Sequence, residues 1–171
     1  MTITTGNIHK SRGIDTMKRF DWPRITKFLE DASAESKVYI GVDSVSWKRG
    51  GKWFADYYKV IVVHKDCLHG CKIFGEIVTE EDYISDKKKP LRRLWNEVYK
   101  VSELFLILSE LTDKTIEVHL DINPKKKYTS NLIVEQAIGY IKGTCNVIPL
   151  IKPEAFAASY AADRLLRVKS I

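Results

Sequence analysis

The chain is poor in cysteine and proline and has no long apolar run, and each scarcity removes a class of protein. Three cysteines among 171 residues are too few to staple a small secreted scaffold and suit a reducing compartment. No apolar stretch approaches the roughly 18 residues that read as a membrane span. The N-terminal stretch MTITTGNIHKSRGID lacks the apolar segment of a secretory signal, so the expected location is the cytoplasm. Five prolines and nine glycines exclude collagen-like and low-complexity chains, and no internal repeat is visible. What is present is one domain's length, with a hydrophobic fraction of 44% that is enough for one packed core. The 28 Lys+Arg against 22 Asp+Glu, a formal +6, lean toward a polyanionic partner.

Residues 1–20 are polar and read as an N-terminal arm, and residues 21–171 as one domain. Asp21 before Trp22-Pro23 signals a helix start, with Trp22, Ile25, Phe28 and Leu29 at helical spacing. Alternation predicts a strand over Val38–Asp43, a second over Trp53–His64 and a third over Cys71–Val78, joined as a meander, with a turn at Gly50-Gly51. Leu91 to Leu111 keeps an i, i+3/i+4 apolar pattern behind Pro90 and is the clearest helix. A fourth strand is expected over Thr115–Asp121, a helix over Ser130–Lys142 capped by Ser130 or Asn131, a fifth strand over Asn146–Ile151 and a last helix over Glu154–Val168. The order β-β-β-α-β-α-β-α after one leading helix implies an α/β fold, a mixed five-stranded sheet with helices on both faces.

Four carboxylates sit where a purely structural reading is awkward. Asp43 and Asp121 close the first and fourth strands, the position of the usual crevice in α/β sheets, although an Asp there can also cap a loop. At 100° per residue, Glu97 falls inside the apolar stripe of its helix, between Leu94, Val101 and Leu104. A carboxylate on a packed face is costly unless paired or bound to metal, the alternative being a salt-bridged Glu at the stripe's edge. Asp163 repeats the pattern on the last helix, among Phe156, Ser159, Ala162 and Leu166, with a rim-exposed Asp as the alternative. Gathered together, four such acids repel one another and call for a divalent cation. An all-oxygen site favours Mg²⁺ or Mn²⁺. Two ions about 4 Å apart would clamp the attacking and leaving oxygens of a phosphodiester.

Three segments carry a family resemblance: Ile40-Gly-Val-Asp43-Ser44, His119-Leu-Asp121-Ile122 and Lys152-Pro-Glu-Ala-Phe-Ala-Ala-Ser159-Tyr-Ala-Ala-Asp163. Together they resemble the YkuK-type family of ribonuclease H-like proteins, over residues 22–168. The resemblance implies the ribonuclease H-like fold and, by analogy with the superfamily, Asp43, Glu97, Asp121 and Asp163 as metal ligands and catalytic groups. Two positions depart from the family's habit: Val45 follows Asp-Ser where a polar residue is usual, and Glu154 stands where Asp is common. Asp43-Ser-Val45 also lacks the Glu that proofreading exonucleases carry in that strand.

Several basic residues lie close to these acids in sequence. Lys87, Lys88, Lys89, Arg92 and Arg93 flank the start of the Glu97 helix, and Lys125, Lys126 and Lys127 follow Asp121. With Ser44 and Lys152 they are the candidate contacts to a phosphate backbone. Trp47 and Trp53 flank Lys48-Arg49-Gly50-Gly51 and are either base-stacking groups or hairpin packing. His64, Cys67, His69 and Cys71 are ligand types that zinc accepts, but their spacing matches no standard knuckle and reads as a polar turn. The expected function is a nuclease using two Mg²⁺ or Mn²⁺ ions on DNA, RNA or a hybrid. The alternative is a catalytically silent nucleic-acid-binding or scaffold module of the same fold. No membrane partner is expected, and the sequence leaves the oligomeric state open.

Overall fold

The computed structural model describes residues 10–11, 14–17, 19–82 and 89–157. Its elements, in chain order, are β1 (Lys10–Ser11), β2 (Ile14–Met17), α1 (Trp22–Asp31), β3 (Lys37–Arg49), β4 (Lys52–His64), β5 (Cys71–Glu81), α2 (Lys89–Leu111), β6 (Ile116–Leu120) and α3 (Val134–Cys145). The strands form one mixed sheet in the order β1-β2-β5-β4-β3-β6. β3, β4 and β5 are the antiparallel meander, and β6 lies parallel to β3 after the crossover through α2.

Local chemistry accounts for the ends of these elements. The Asp21 carboxylate accepts the Arg24 amide at 3.2 Å and caps α1. β3 and β4 pair without a break from Lys37–His64 to Arg49–Lys52. The two residues between them, Gly50 and Gly51, have φ of 57° and 80°, the left-handed pair that a tight hairpin turn requires.

Side-chain alternation divides the sheet into two faces. On one, Val38, Ile40, Ile61, Val63 and Phe74 pack against Ile25 and Leu29 of α1, Val101, Leu104 and Leu108 of α2, and Ala137 and Ile141 of α3. All three described helices therefore cover the same face. The other buries Tyr58, Val60, Val62 and Ile73 with Ala157.

Four of the five expected strands are present, three of them longer than expected. Asp43 consequently lies within β3 rather than at its end, because the hairpin carries the strand on to Arg49. The polar lead-in contributes β1 and β2, the latter paired in parallel with β5. The fifth strand is reduced to a single bridge between His119 and Leu150. Asn146 is taken up as the left-handed cap of α3, with φ of 56°, and Pro149 has no N–H to donate. Leu150 alone exchanges hydrogen bonds with β6, through Val118 and Leu120.

Neither Ser130 nor Asn131 caps α3; a 3-10 turn over Thr129–Ile133 comes first. Their side chains instead bond Asn123 and Pro124 and close the intervening loop. Residues Lys152–Glu154 form a turn rather than the start of a helix, and the remainder of the expected last helix from 158 onward lies outside the described residues.

Leu108 is fully buried where α2 meets the sheet. Leu108→Ala is expected to lower stability by about 2–5 kcal/mol, measured by urea unfolding. A loss well under 1 kcal/mol would contradict its place in the core.

Candidate carboxylate site

The parallel pairing of β3 with β6 ends at Val42 opposite Leu120. β6 stops there, while β3 continues with β4 as its partner. Asp43 and Asp121 are the next residues on the two chains. Val42, Leu120 and Ile122 all enter the helix-covered core, so alternation turns Asp43 and Asp121 together to the opposite face. Adjacent strands are about 4.8 Å apart, which makes the two acids neighbours.

Ser44 turns back toward the helices. Its hydroxyl donates to Glu97 Oε1 at 2.5 Å, while its amide donates to Asp43 Oδ1 at 2.7 Å. One dipeptide thus holds one carboxylate on each side of the strand. Glu97 is buried, as its place in the apolar stripe predicts. Around it α2 is pinned to β4: Asn96 donates to the Tyr57 hydroxyl at 2.9 Å, and Lys100 lies 4.7 Å from the Tyr57 ring centroid and pairs with Glu80.

Burial pushes the Glu97 carboxyl well above its usual range. The Ser44 hydrogen bond opposes this, the charges of Asp43 and Asp121 add to it, and the Arg93 charge opposes it. Lys152 Nζ meets Asp121 Oδ1 at 2.5 Å, and the Lys152 amide is tied to the Ile122 carbonyl at 3.1 Å. Burial would lower the Lys152 pKa, but the hydrogen bond and charge of Asp121, with the charges of Asp43 and Glu97, raise it overall. Three acids and one lysine therefore share a single electrostatic environment.

The donor chemistry of this trio suits a hard divalent cation, because all the atoms are oxygens and each charge disfavours the others. Even so, no group of three or more His, Cys, Asp or Glu is gathered as a metal site among the described residues. Asp121 is engaged by Lys152 and Glu97 by Ser44. Asp163 lies outside the described residues, as do Lys87 and Lys88.

Of the expected phosphate contacts, Arg92 and Arg93 lie partly buried in the first turns of α2, which Lys89 begins. Lys125, Lys126 and Lys127 are exposed on the loop closed by Ser130 and Asn131. Ser44 and Lys152, the other expected contacts, are bonded to Glu97 and Asp121. The ligand types in the turn after β4 point to different partners: Cys67 donates to the Glu35 carbonyl, and His69 faces Asp66 at 3.5 Å.

His119 had no expected role of its own. It is fully buried, and its Nδ1 accepts the Ala157 amide at 3.0 Å. The neutral ring therefore carries its proton on Nε2, and burial lowers its pKa, with Glu117 opposing. Tyr39 and Phe156 pack on it at 5.5 and 4.6 Å. His119 thereby fastens the segment around Ala157 onto β6, the strand that leads into Asp121. A histidine two residues before an acid, on the same strand face as that acid, was the available signal.

A carboxyl whose folded pKa is raised contributes stability below its unfolded pKa, here an ordinary 4.5, and that contribution is lost as pH rises through the folded value. Glu97→Gln removes the titration. In metal-free buffer the variant is expected to melt higher than wild type at neutral pH, with the difference shrinking toward about pH 4. Thermal melts across that range check it; a variant that melts lower at neutral pH would show that the Ser44 bond outweighs the buried charge.

A family model described as Ribonuclease H-like matches residues 22–167. No curated protein and no solved structure matches the chain. The mixed sheet, the acids at the end of the β3–β6 pairing and a match spanning nearly the whole chain agree, and the chain belongs to the ribonuclease H-like family, of the YkuK type.

Proposed function

We propose that the protein is a nuclease that hydrolyses phosphodiester bonds with Mg²⁺ or Mn²⁺ held by Asp43, Asp121 and Glu97, and by Asp163 from the last segment. The observation that carries this reading is the β3–β6 register that ends at Val42–Leu120 and leaves Asp43 and Asp121 as the next residues, with the buried carboxylate of Glu97 under the influence of both charges. Such an arrangement is costly without a cation. When bound, two such ions supply Lewis-acid stabilisation and an activated water for in-line attack.

The chain's own residues set up that chemistry. Asp43 and Asp121 present oxygens from adjacent strands, and Ser44 fixes the Glu97 carboxylate. Lys152 neutralises part of the charge before any cation arrives. Lys125, Lys126, Lys127, Arg92 and Arg93, together with Lys87, Lys88 and Lys89, would hold the phosphate backbone.

The alternative, a nucleic-acid-binding module without turnover, draws on the pairing of Asp121 with Lys152: an ammonium already occupies one of the proposed ligands. The two readings separate on a cleavage screen over single strands, duplexes, hybrids and branched substrates with Mg²⁺ or Mn²⁺. Asp43→Asn is expected to lower metal-dependent cleavage at least about 100-fold while the melting transition is retained. Cleavage by Asp43→Asn at the wild-type rate would sink the nuclease reading, and salt-sensitive binding without turnover would support the alternative.

A further inference from the structure

The β3–β4 hairpin runs well past the end of β6, and this extension is not explained by the carboxylate site. From Asp43 outward its register pairs are Asp43–Tyr58, Val45–Asp56, Trp47–Phe54 and Arg49–Lys52. Alternation places these four pairs on one face, the face of Asp43 and Asp121. Lys48 and Trp53 lie on the opposite face, with the Lys48 ammonium 5.6 Å from the Trp53 ring centroid.

Read outward, the row has a chemical order. Val45 is exposed. The Asp56 carboxylate opposite it is buried and accepts the Thr79 hydroxyl at 2.6 Å, so the acid is turned away from solvent. Trp47 and Phe54 stack, with ring centroids 4.7 Å apart and planes 20° from parallel. Arg49 and Lys52 close the row at the Gly50-Gly51 turn, both exposed, with Lys52 also paired to Glu81 at 3.1 Å. Four residues of extended chain separate Trp47 from Asp43, about 13 Å at 3.3 Å per residue.

We propose that the Trp47–Phe54 stack and Arg49 form a contact for a single-stranded nucleic-acid segment that flanks the phosphate at the carboxylates. This rests on the reading of the protein as acting on nucleic acid and names the form of substrate. Aromatic faces capture unpaired bases, which a duplex keeps stacked on each other, and a cation beyond them meets the next phosphate. The same-face order, acids first, then an aromatic pair, then cations, lets one strand satisfy all three.

Fluorescence anisotropy of a labelled 12-nucleotide single strand and a blunt duplex of the same sequence, in chelator and over a range of NaCl, tests this with the full chain. Wild type is expected to prefer the single strand. Arg49→Ala is expected to weaken that binding and to reduce the slope of log affinity against log salt by about 0.7. Trp47→Ala is expected to weaken it at least about fivefold with the slope unchanged, and Trp47→Phe to retain it. Lys48→Ala, the same charge change on the opposite face, is expected to leave both quantities unchanged. Equal effects of Arg49→Ala and Lys48→Ala, or no preference for the single strand, overturn the proposal while nucleic-acid binding itself stands. No binding by wild type, either in chelator or with Ca²⁺ in its place, overturns both. Arg49 is exposed, so its variant decides the matter even if Trp47→Ala does not fold.

Discussion

The point at which β3 loses its parallel neighbour governs the layout of this protein. Up to Val42–Leu120 the two strands satisfy each other's backbone, and their alternate side chains fill the core beneath the helices. One residue further, the same alternation turns acids outward on both strands just where the neighbouring backbone ends. A ladder that ended one residue earlier would leave Val42 and Leu120 there, and one residue later Ser44 and Ile122, because the side-chain period of a strand is two. The position of the acids thus follows from strand length and register as much as from residue identity.

The electrostatics follow from that placement. Glu97 comes from the helix side, so its carboxylate is desolvated, whereas Asp43 and Asp121 lie partly exposed on the other side of the sheet. Ser44 and Lys152 offset part of the resulting repulsion, one through a hydrogen bond and the other through charge. Both contacts hold the acids in place. His119 supplies a mechanical counterpart by binding the Ala157 amide to β6, the strand that leads into Asp121.

Much of this was legible in the residues, because it depends on period. The apolar stripe of α2 and the intrusion of Glu97 into it need only a 3.6-residue repeat, and Glu97 is buried accordingly. The Asp21 cap and the Gly50-Gly51 turn are local and came out as expected. The expectations that changed depended on partners. The apolar alternation ends at Asp43 and predicts a strand end there, yet the ladder with β4 continues to Arg49. Asn146–Ile151 has the composition of a strand, but a helix cap and Pro149 use up its backbone. Ser130 and Asn131 have cap chemistry that is spent on closing the lysine-bearing loop. Lys152 showed only a positive charge after the fifth apolar run, with nothing to say which carboxylate it would meet.

By itself, the sequence determined most of the described elements, the family and the burial of Glu97, since periodicity, turn residues and motif spacing are properties of the chain read locally. Tertiary structure alone decided which face each acid occupies, that Lys152 meets Asp121 and Ser44 meets Glu97, and that the hairpin tip shares a face with Asp43. Those outcomes require distant segments to be brought side by side in one register, and no local pattern encodes the distance between residues that are 53 positions apart, as Ser44 and Glu97 are.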